Sequence, residues 1–212
     1  MAEILKANGS SYDRAIALLK VGEPVALPTE TVYGLAALAT DDSAVANIYE
    51  IKGRPKTKPL SVVVSSTKAA QAIADVSPLA LALMMAFWPG PLTLVLPLKP
   101  TAGISENALA GGNTIGMRCP DIPWMAHFER YGFHAPLVLP SANTSSLPAP
   151  TNAKGVDQDI GDKIPVIIDG GDCKTGIEST IIANTSDGVK MLRAGALKPE
   201  DFAPFQINWI VE

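Results

Sequence analysis

The sequence predicts a layered α/β fold with a mixed sheet. Candidate strands and helices intermingle along the whole chain, which is typical of α/β architectures. No internal repeat or linker divides the 212 residues, so one large domain is expected, although two small ones are possible at this length. Polar clusters stand mostly at the ends of the candidate strands, where loop-borne sites collect in such folds.

The first two helices are predicted from periodicity and from residues that can end a helix. Residues 12–20 place apolar side chains on one helical face; a serine before them can cap the start, and Gly22 can end the helix. Asp42 or Ser43 can cap a second helix. Gly53 is placed to end it, because the following proline cannot continue a helix.

Three more helices follow. Ser77 and Pro78 are the expected cap and first helical residue of a strong helix at residues 79–88. A further helix is predicted at residues 121–131, and Thr151 can cap a weaker one that ends at residue 160.

The candidate strands are short apolar runs, many of them rich in β-branched residues. Turns containing glycine, proline, serine or aspartate separate them, and residues 99–112 are interpreted as a loop of small side chains. In chain order the strands are predicted at residues 25–27, 60–64, 92–96, 114–118, 136–139, 166–168, 179–183 and 189–192.

The overall composition limits the classes of function that the chain can have. The chain is 47% hydrophobic and 18% charged, with a net charge of −4, whereas proteins that coat nucleic acid non-specifically are usually basic. A local basic groove is not excluded. Cys119 and Cys173 are too few for a disulfide framework. The sequence has no apolar signal core and no run of about 18 apolar residues, so a soluble cytoplasmic protein without a membrane partner is expected.

Four cations stand together in this acidic chain: Lys52, Arg54, Lys56 and Lys58. Taken alone, such a cluster is most often a solvated loop, and the alternative is a site for a polyanion. If Gly53 ends the preceding helix, Lys52 and Arg54 can converge, which is tolerable only with an anion between them. Arginine offers a planar fork for phosphate oxygens and lysine a mobile point charge.

Other polar groups follow candidate strands. Ser141 and Asn143 can either close their own turn or point at a ligand above the sheet edge. Arg118 and Arg193 each stand at a strand end, and with the first cluster they would form a cationic pocket in an anionic protein. Ser179 opens a further strand.

Several familiar chemistries are absent from the sequence. It contains no GxxxxGK[ST] loop and no GxSxG elbow. His127 and His134 have no companion ligands at metal spacing, so no protein metal site is predicted. No nucleophile–base pair is visible, which favours catalysis by positioning and charge stabilisation.

Seven motifs, in order and in register from about residue 11 to residue 197, resemble the YrdC/Sua5 family. They are PTETVYGL (28–35), KGRPKTKPL (52–60), WPGPLTLVL (88–96), GMRCP (116–120), PSAN (140–143), GIEST (176–180) and LRAGAL (192–197). The resemblance implies a YrdC/RibB-like fold, an open twisted mixed sheet flanked by helices with a concave, positively charged cavity. Residues 1–212 would form one such domain, with residues 198–212 as a tail.

The resemblance also implies an activity, L-threonylcarbamoyladenylate synthesis by a nucleotidyltransferase. Such enzymes combine L-threonine, bicarbonate or CO2 and ATP, and they release pyrophosphate. The product would pass to a tRNA threonylcarbamoyl-transfer complex for N6-threonylcarbamoylation of adenosine 37, and tRNA or double-stranded RNA binding is possible. Mg2+ would be carried on the ATP phosphates, since no dedicated carboxylate cage is visible.

Individual roles follow by matching this sequence to the family signatures. The implied catalytic residues are Lys52, by the phosphates or the carbamoyl carbonyl, and Arg54. Tyr33 would wall the cavity. The implied L-threonine contacts are Thr31, Arg118, which faces the carboxylate, and Ser179. The implied ATP contacts are Arg54, Lys58, Ser141, Asn143 and Arg193.

The sequence departs from the family pattern in its strand at residues 61–64, which lacks a histidine that many longer members carry. The loop after Asn143 lacks the usual glycine and has Ala149 where serine is common. The last motif ends at Leu197 and the sequence at Glu212, so the short form without a second domain is expected.

Two alternatives stay open at this point. One is an RNA- or tRNA-binding module of the same fold, whose binding would weaken at modest salt and ignore ATP. The other is a divergent paralogue that acts on another carbamoyl or nucleotide substrate, which would bind ATP without any effect of threonine.

Overall fold

The computed structural model describes residues 1–185 and 188–210, and it confirms the predicted fold class. Within this part of the chain a twisted, open, ten-stranded mixed sheet is flanked by helices. The strands are β1 (Glu3–Lys6), β2 (Val25–Leu27), β3 (Gly34–Leu38), β4 (Val62–Val63), β5 (Leu92–Pro97), β6 (Thr114–Arg118), β7 (Leu137–Val138), β8 (Val166–Asp169), β9 (Thr180–Thr185) and β10 (Gly188–Arg193).

The helices lie between these strands in the sequence. They are α1 (Gly9–Lys20), α2 (Asp42–Lys52), α3 (Thr67–Ile73), α4 (Pro78–Phe87), α5 (Glu106–Leu109), α6 (Pro123–Arg130) and α7 (Ala153–Ile160), followed by a 3-10 helix at Pro199–Phe205. None of those in the described ranges combines the length and apolarity needed to span a membrane.

The sheet order is β1-β8-β2-β3-β7-β4-β6-β5-β9-β10. Parallel pairs join β8 to β1 and β2, β4 to β6, and β5 to β9; the other neighbours are antiparallel. Strands that are distant in the sequence therefore lie side by side at the centre of the sheet, and their ends bring distant polar residues together.

Side chains alternate between the two faces of the sheet, as a pleated strand requires. Leu27 and Val63 lie in one apolar cluster with α1 and α6, where Trp124 is fully buried. Ala26 and Val62, their chain neighbours, lie in the larger cluster on the other face. The Trp124 indole donates a 2.8 Å hydrogen bond to the Pro28 carbonyl, which anchors the hydroxyl-rich turn that follows β2.

Helix ends differ from the predicted ones by one to three residues, whereas Ser77 and Gly53 act as predicted. The α1 cap is Asn8, which exchanges hydrogen bonds with Ser11, because this capping box satisfies two backbone donors at once. Asp41, rather than Asp42 or Ser43, caps α2, and Asn152, rather than Thr151, caps α7.

Five elements of the described residues were not predicted, namely β1, β3, α3, α5 and the 3-10 helix at Pro199–Phe205. The β3 sequence, GLAAL, has low intrinsic strand propensity, and it is a strand because β2 and β7 pair with its two edges. Similarly, β1 depends on pairing with β8, from Glu3↔Val166 to Lys6↔Asp169. Tertiary pairing decides both strands.

Candidate functional site

The candidate site is a cavity of about 460 Å3 among the strand ends and the loop after α2. Part of its wall is apolar and consists of Val63, Val95, Ile181 and Leu192. Seven of the nine predicted site residues line it, namely Thr31, Arg54, Lys58, Arg118, Ser141, Ser179 and Arg193. Their charged members are cations, and Glu178 adds one carboxylate to the wall.

One end of the cavity is built around Arg118, the last residue of β6. Its Nε donates to the Gly90 carbonyl at 3.0 Å, and its Nη1 donates to Thr31 Oγ1 at 2.9 Å. Thr31 Oγ1 in turn lies 2.8 Å from Thr29 Oγ1. The guanidinium is 10% exposed, so its orientation is fixed before any ligand arrives.

Glu30 is a site residue that the sequence reasoning missed. Its Oε1 lies 2.6 Å from Arg118 Nη2, and both side chains are at least nine-tenths buried. The geometry is that of an ion pair rather than a hydrogen bond, and within the described residues neither Glu30 oxygen has a hydrogen-bond partner. The sequence shows an acid between two threonines, but nothing in it identifies Arg118, 88 positions away, as the partner of that acid.

The other end of the cavity is built around Arg193, the last residue of β10. Its Nε donates to Ser179 O at 3.0 Å, its Nη2 to Ser179 Oγ at 2.9 Å and its Nη1 to Glu178 Oε1 at 2.7 Å. Ser179 Oγ also lies 2.8 Å from Thr93 Oγ1. This network fixes the Ser179 hydroxyl between the two ends of the cavity.

Three guanidinium groups influence one another electrostatically here. Burial lowers the pKa of Arg193; Glu178 raises it, and the positive charges of Arg118 and Arg54 lower it further. Mutual repulsion of this kind is relieved by an anion bound between the cations. The arrangement is therefore suited to an anionic ligand.

Arg54 stands just beyond the glycine that ends α2. Its Nε donates to Lys58 O at 3.2 Å and its Nη2 to Pro59 O at 2.9 Å. The Tyr49 hydroxyl donates to the same Lys58 carbonyl at 3.0 Å, which ties the loop to the helix. Two of the four clustered cations, Arg54 and Lys58, thus line the cavity, whereas Lys56 is exposed and lies outside it.

Lys52 and Asn143 do not line this cavity. Lys52 is 2% exposed, and its ammonium donates to the carbonyls of Ser141 and Asn143, the latter at 2.6 Å. The Asn143 side chain donates to Thr144 O and Leu147 O, both at 2.8 Å. The structure therefore places the Lys52 ammonium against these two carbonyls, behind the residues that line the cavity.

Tyr33 also lies behind the wall rather than forming it. Its hydroxyl donates to Gly171 O at 2.8 Å and accepts from Gly170 N at 3.1 Å. Burial raises the pKa of Tyr33 to about 12, so this hydroxyl stays protonated. Its position packs the turn after β8 against the hydroxyl-rich turn.

Within the described ranges, no three His, Cys, Asp or Glu side chains are grouped closely enough to hold a metal ion. His127, one of the two histidines, instead contacts Asp13 at 2.8 Å.

A methyl group at position 195 is expected to distort the site. An ideal Cβ on Gly195 would lie 2.4 Å from Glu178 O and 2.5 Å from Ser179 C, so Gly195→Ala must displace the backbone that carries Ser179. We expect a loss of about 1–3 kcal/mol in the free energy of unfolding, as for other overpacked positions. Urea unfolding checks it. Gly9→Ala is the control, because the nearest atom to its added methyl lies 3.5 Å away; equal stability of both variants would contradict the prediction.

Comparison with known proteins gives a consistent result. The model of the Sua5/YciO/YrdC family, described as telomere recombination, matches residues 17–195. The chain is 42% identical over 198 residues to threonylcarbamoyl-AMP synthase of Bacillus subtilis, covering 92% of this chain and 56% of the relative. It is 35% identical over 205 residues to a putative threonylcarbamoyl-AMP synthase of Methanocaldococcus jannaschii, covering 95% of each.

Solved structures agree with this. Pyrococcus abyssi Sua5 complexed with L-threonine superposes with a TM-score of 0.90 at 35% identity, over 99% of this chain and 62% of that one. Escherichia coli YciO, at 21% identity, shares the fold with a TM-score of 0.84 over 97% of this chain and 100% of that one. The chain spans about half the length of the first curated relatives that it matches.

Proposed function

The chain belongs to the Sua5/YciO/YrdC family, and from this premise we propose that it synthesises threonylcarbamoyl-AMP from L-threonine, bicarbonate or CO2 and ATP, with release of pyrophosphate. It would be a nucleotidyltransferase. Its relatives are named for this synthesis. The observation that carries the proposal is the cavity that gathers Arg54, Arg118 and Arg193, since threonine, bicarbonate and ATP all bring negative charge.

L-threonine is assigned to the Arg118 end. The guanidinium of Arg118 would hold the substrate carboxylate, and the hydroxyls of Thr31 and Ser179 would face its polar groups. Because Arg118 is already oriented by Glu30 and the Gly90 carbonyl, binding of the carboxylate would cost little side-chain entropy.

ATP is assigned to the other end, between Arg54, Lys58, Ser141 and Arg193. Attack of the carbamate oxygen on the α-phosphorus forms one P–O bond and breaks the bond to the β-phosphate oxygen, so pyrophosphate departs. Fixed cations stabilise the charge that develops on the phosphoryl oxygens and on the leaving group. Mg2+ would arrive as part of the substrate, bound to the phosphates.

The carbamate itself needs protection. The threonine amine would first react with bicarbonate or CO2, and the resulting carbamate is labile. The apolar part of the wall, which includes Val63, Val95 and Ile181, would limit water around it. No side-chain nucleophile is required by this route, because the substrates supply both the attacking and the leaving groups.

The product would serve N6-threonylcarbamoylation of adenosine 37 in tRNA. A tRNA threonylcarbamoyl-transfer complex in the cytoplasm would consume it, because the mixed carbamic–phosphoric anhydride is an activated carbamoyl donor. Direct tRNA binding is not needed for the synthesis itself.

Pyrophosphate release tests the proposal. We expect release to require L-threonine, bicarbonate and ATP together, with omission of any one reducing the signal to background. Pyrophosphate release that is indifferent to threonine would refute the synthase. ATP binding without any threonine effect would favour the divergent paralogue, and salt-sensitive RNA binding that ignores ATP would favour the binding module.

A further inference from the structure

Lys52 ties one loop to the end of α2 with three hydrogen bonds. Its ammonium donates to the carbonyls of Ser141 and Asn143, and its own carbonyl accepts from Ser145 N at 2.7 Å. Two carbonyls that are two residues apart thus converge on a single nitrogen. A buried carbonyl without a donor is costly. The turn from Ser141 to Asn143 is therefore restricted to shapes that keep both carbonyls within reach of the ammonium.

The environment of the ammonium is costly for a charge. Burial lowers the pKa of Lys52 to about 8; nearby Arg54 lowers it, whereas Asp159 and Glu178 raise it. Within the described residues no carboxylate lies within ion-pair distance of Lys52 Nζ. The two carbonyls are the hydrogen-bond acceptors of this ammonium, and even a neutral amine would keep two N–H donors, one for each carbonyl.

The same loop has two further anchors. Thr144 donates to the Asp159 carboxylate through its backbone N–H at 2.8 Å and its hydroxyl at 2.7 Å. Ala142 N donates to Tyr33 O at 2.8 Å. Just before these anchors, Ser141 lines the cavity while its carbonyl accepts from Lys52.

We propose that Lys52 is a positioning residue, whose ammonium fixes the turn from Ser141 to Asn143 and so places the Ser141 hydroxyl against the ATP end of the cavity. The identity of the ligand, ATP, rests on the proposed function. The effect of Lys52 on the shape of the turn does not. Lys52 then acts through Ser141, and it does not touch the phosphates.

Hydrogen–deuterium exchange of Lys52→Met tests the effect on the loop without any ligand. We expect the amides of residues 142–145 to exchange at least tenfold faster, with the α1 amides unchanged. Unchanged exchange in the loop, together with lost activity, would overturn the proposal. It would instead support direct contact between Lys52 and the substrate. If Lys52→Met does not fold, Lys52→Gln, which keeps one amide donor group, is expected to give a smaller increase at the same amides.

Calorimetric binding separates this role from a general loss of structure. In Lys52→Met the Kd for ATP is expected to rise about tenfold while the Kd for L-threonine stays within twofold, because the side chains of Thr31, Arg118 and Ser179 form their hydrogen bonds with groups outside this turn. When Lys52→Met is added to the Ser141→Ala variant, the Kd for ATP is expected to change by less than twofold. Full additivity of the two changes would overturn the proposal.

The two hypotheses fail differently. A wild-type protein that binds ATP but makes no threonylcarbamoyl-AMP would contradict the proposed function, and the loop exchange and ATP measurements would still decide the role of Lys52. A protein active as proposed, with loop exchange unchanged in Lys52→Met, would contradict only the positioning role.

Discussion

Arg54→Ala is expected to lower kcat/KM for pyrophosphate release by about 100-fold or more. The guanidinium lines the part of the cavity that we propose for ATP, and it is held by the carbonyls of Lys58 and Pro59. Removal of one fixed group that stabilises transition-state charge typically costs about 2.7–4 kcal/mol in activation free energy. Arg54→Lys is expected to recover only part of the rate, because a point charge does not reproduce the planar fork.

Lys56→Ala is the matched control for Arg54. Lys56 belongs to the same cation cluster, two residues away, but it is exposed and outside the cavity, so wild-type kinetics are expected. Both variants should keep the wild-type free energy of unfolding within about 0.5 kcal/mol. If the two substitutions reduce kcat/KM equally, the assignment of Arg54 to the ATP phosphates is wrong.

Glu30→Ala is expected to destabilise the fold by about 3–5 kcal/mol, the usual loss when one partner of a buried ion pair is removed. The pair Glu30–Arg118 is at least nine-tenths buried on both sides, so truncation leaves the Arg118 charge desolvated and unpaired. L-threonine affinity should fall as well, because the guanidinium loses one of its positional restraints. Urea unfolding and calorimetric titration with L-threonine measure the two effects.

Glu178→Ala provides the comparison for Glu30. Its ion pair with Arg193 is about as short, but the two side chains are 40% and 34% exposed, and partly exposed pairs contribute about 0–1 kcal/mol. The double variant Glu30→Leu, Arg118→Met should regain stability relative to Glu30→Ala without regaining threonine binding. Equal losses in Glu30→Ala and Glu178→Ala would contradict the special cost assigned to the buried pair.

The sequence was sufficient to predict the residues that assemble at strand ends. Arg118, Ser141 and Arg193 follow or close apolar runs, and the ends of neighbouring strands meet at one edge of a sheet. Their convergence therefore needed only the fold class and the family motifs. The Glu30–Arg118 pair was not predictable in this way, because an acid in a turn gives no sign of which distant cation it will face.

The side-chain direction of Lys52 was also beyond sequence reasoning. Position 52 ends a helix whether its ammonium enters the cavity or turns behind the wall, so the sequence pattern is the same in both cases. The direction of the side chain depends on where the carbonyls of Ser141 and Asn143 lie. Those carbonyls belong to a turn that also contacts Tyr33 and Asp159, which are distant in the sequence. Local signals predicted the helix end and its glycine, and tertiary packing decided the rest.

The strand order has a consequence for how the chain folds. Glu3 pairs with Val166 and Leu92 with Thr180, so long loops must close before the sheet is complete, and each closure costs chain entropy. Topologies dominated by such distant pairs fold slowly, on the order of milliseconds to seconds. The candidate cavity needs Ser179, which directly precedes β9, and Arg193 of β10, so during synthesis it cannot assemble before residue 193 has emerged.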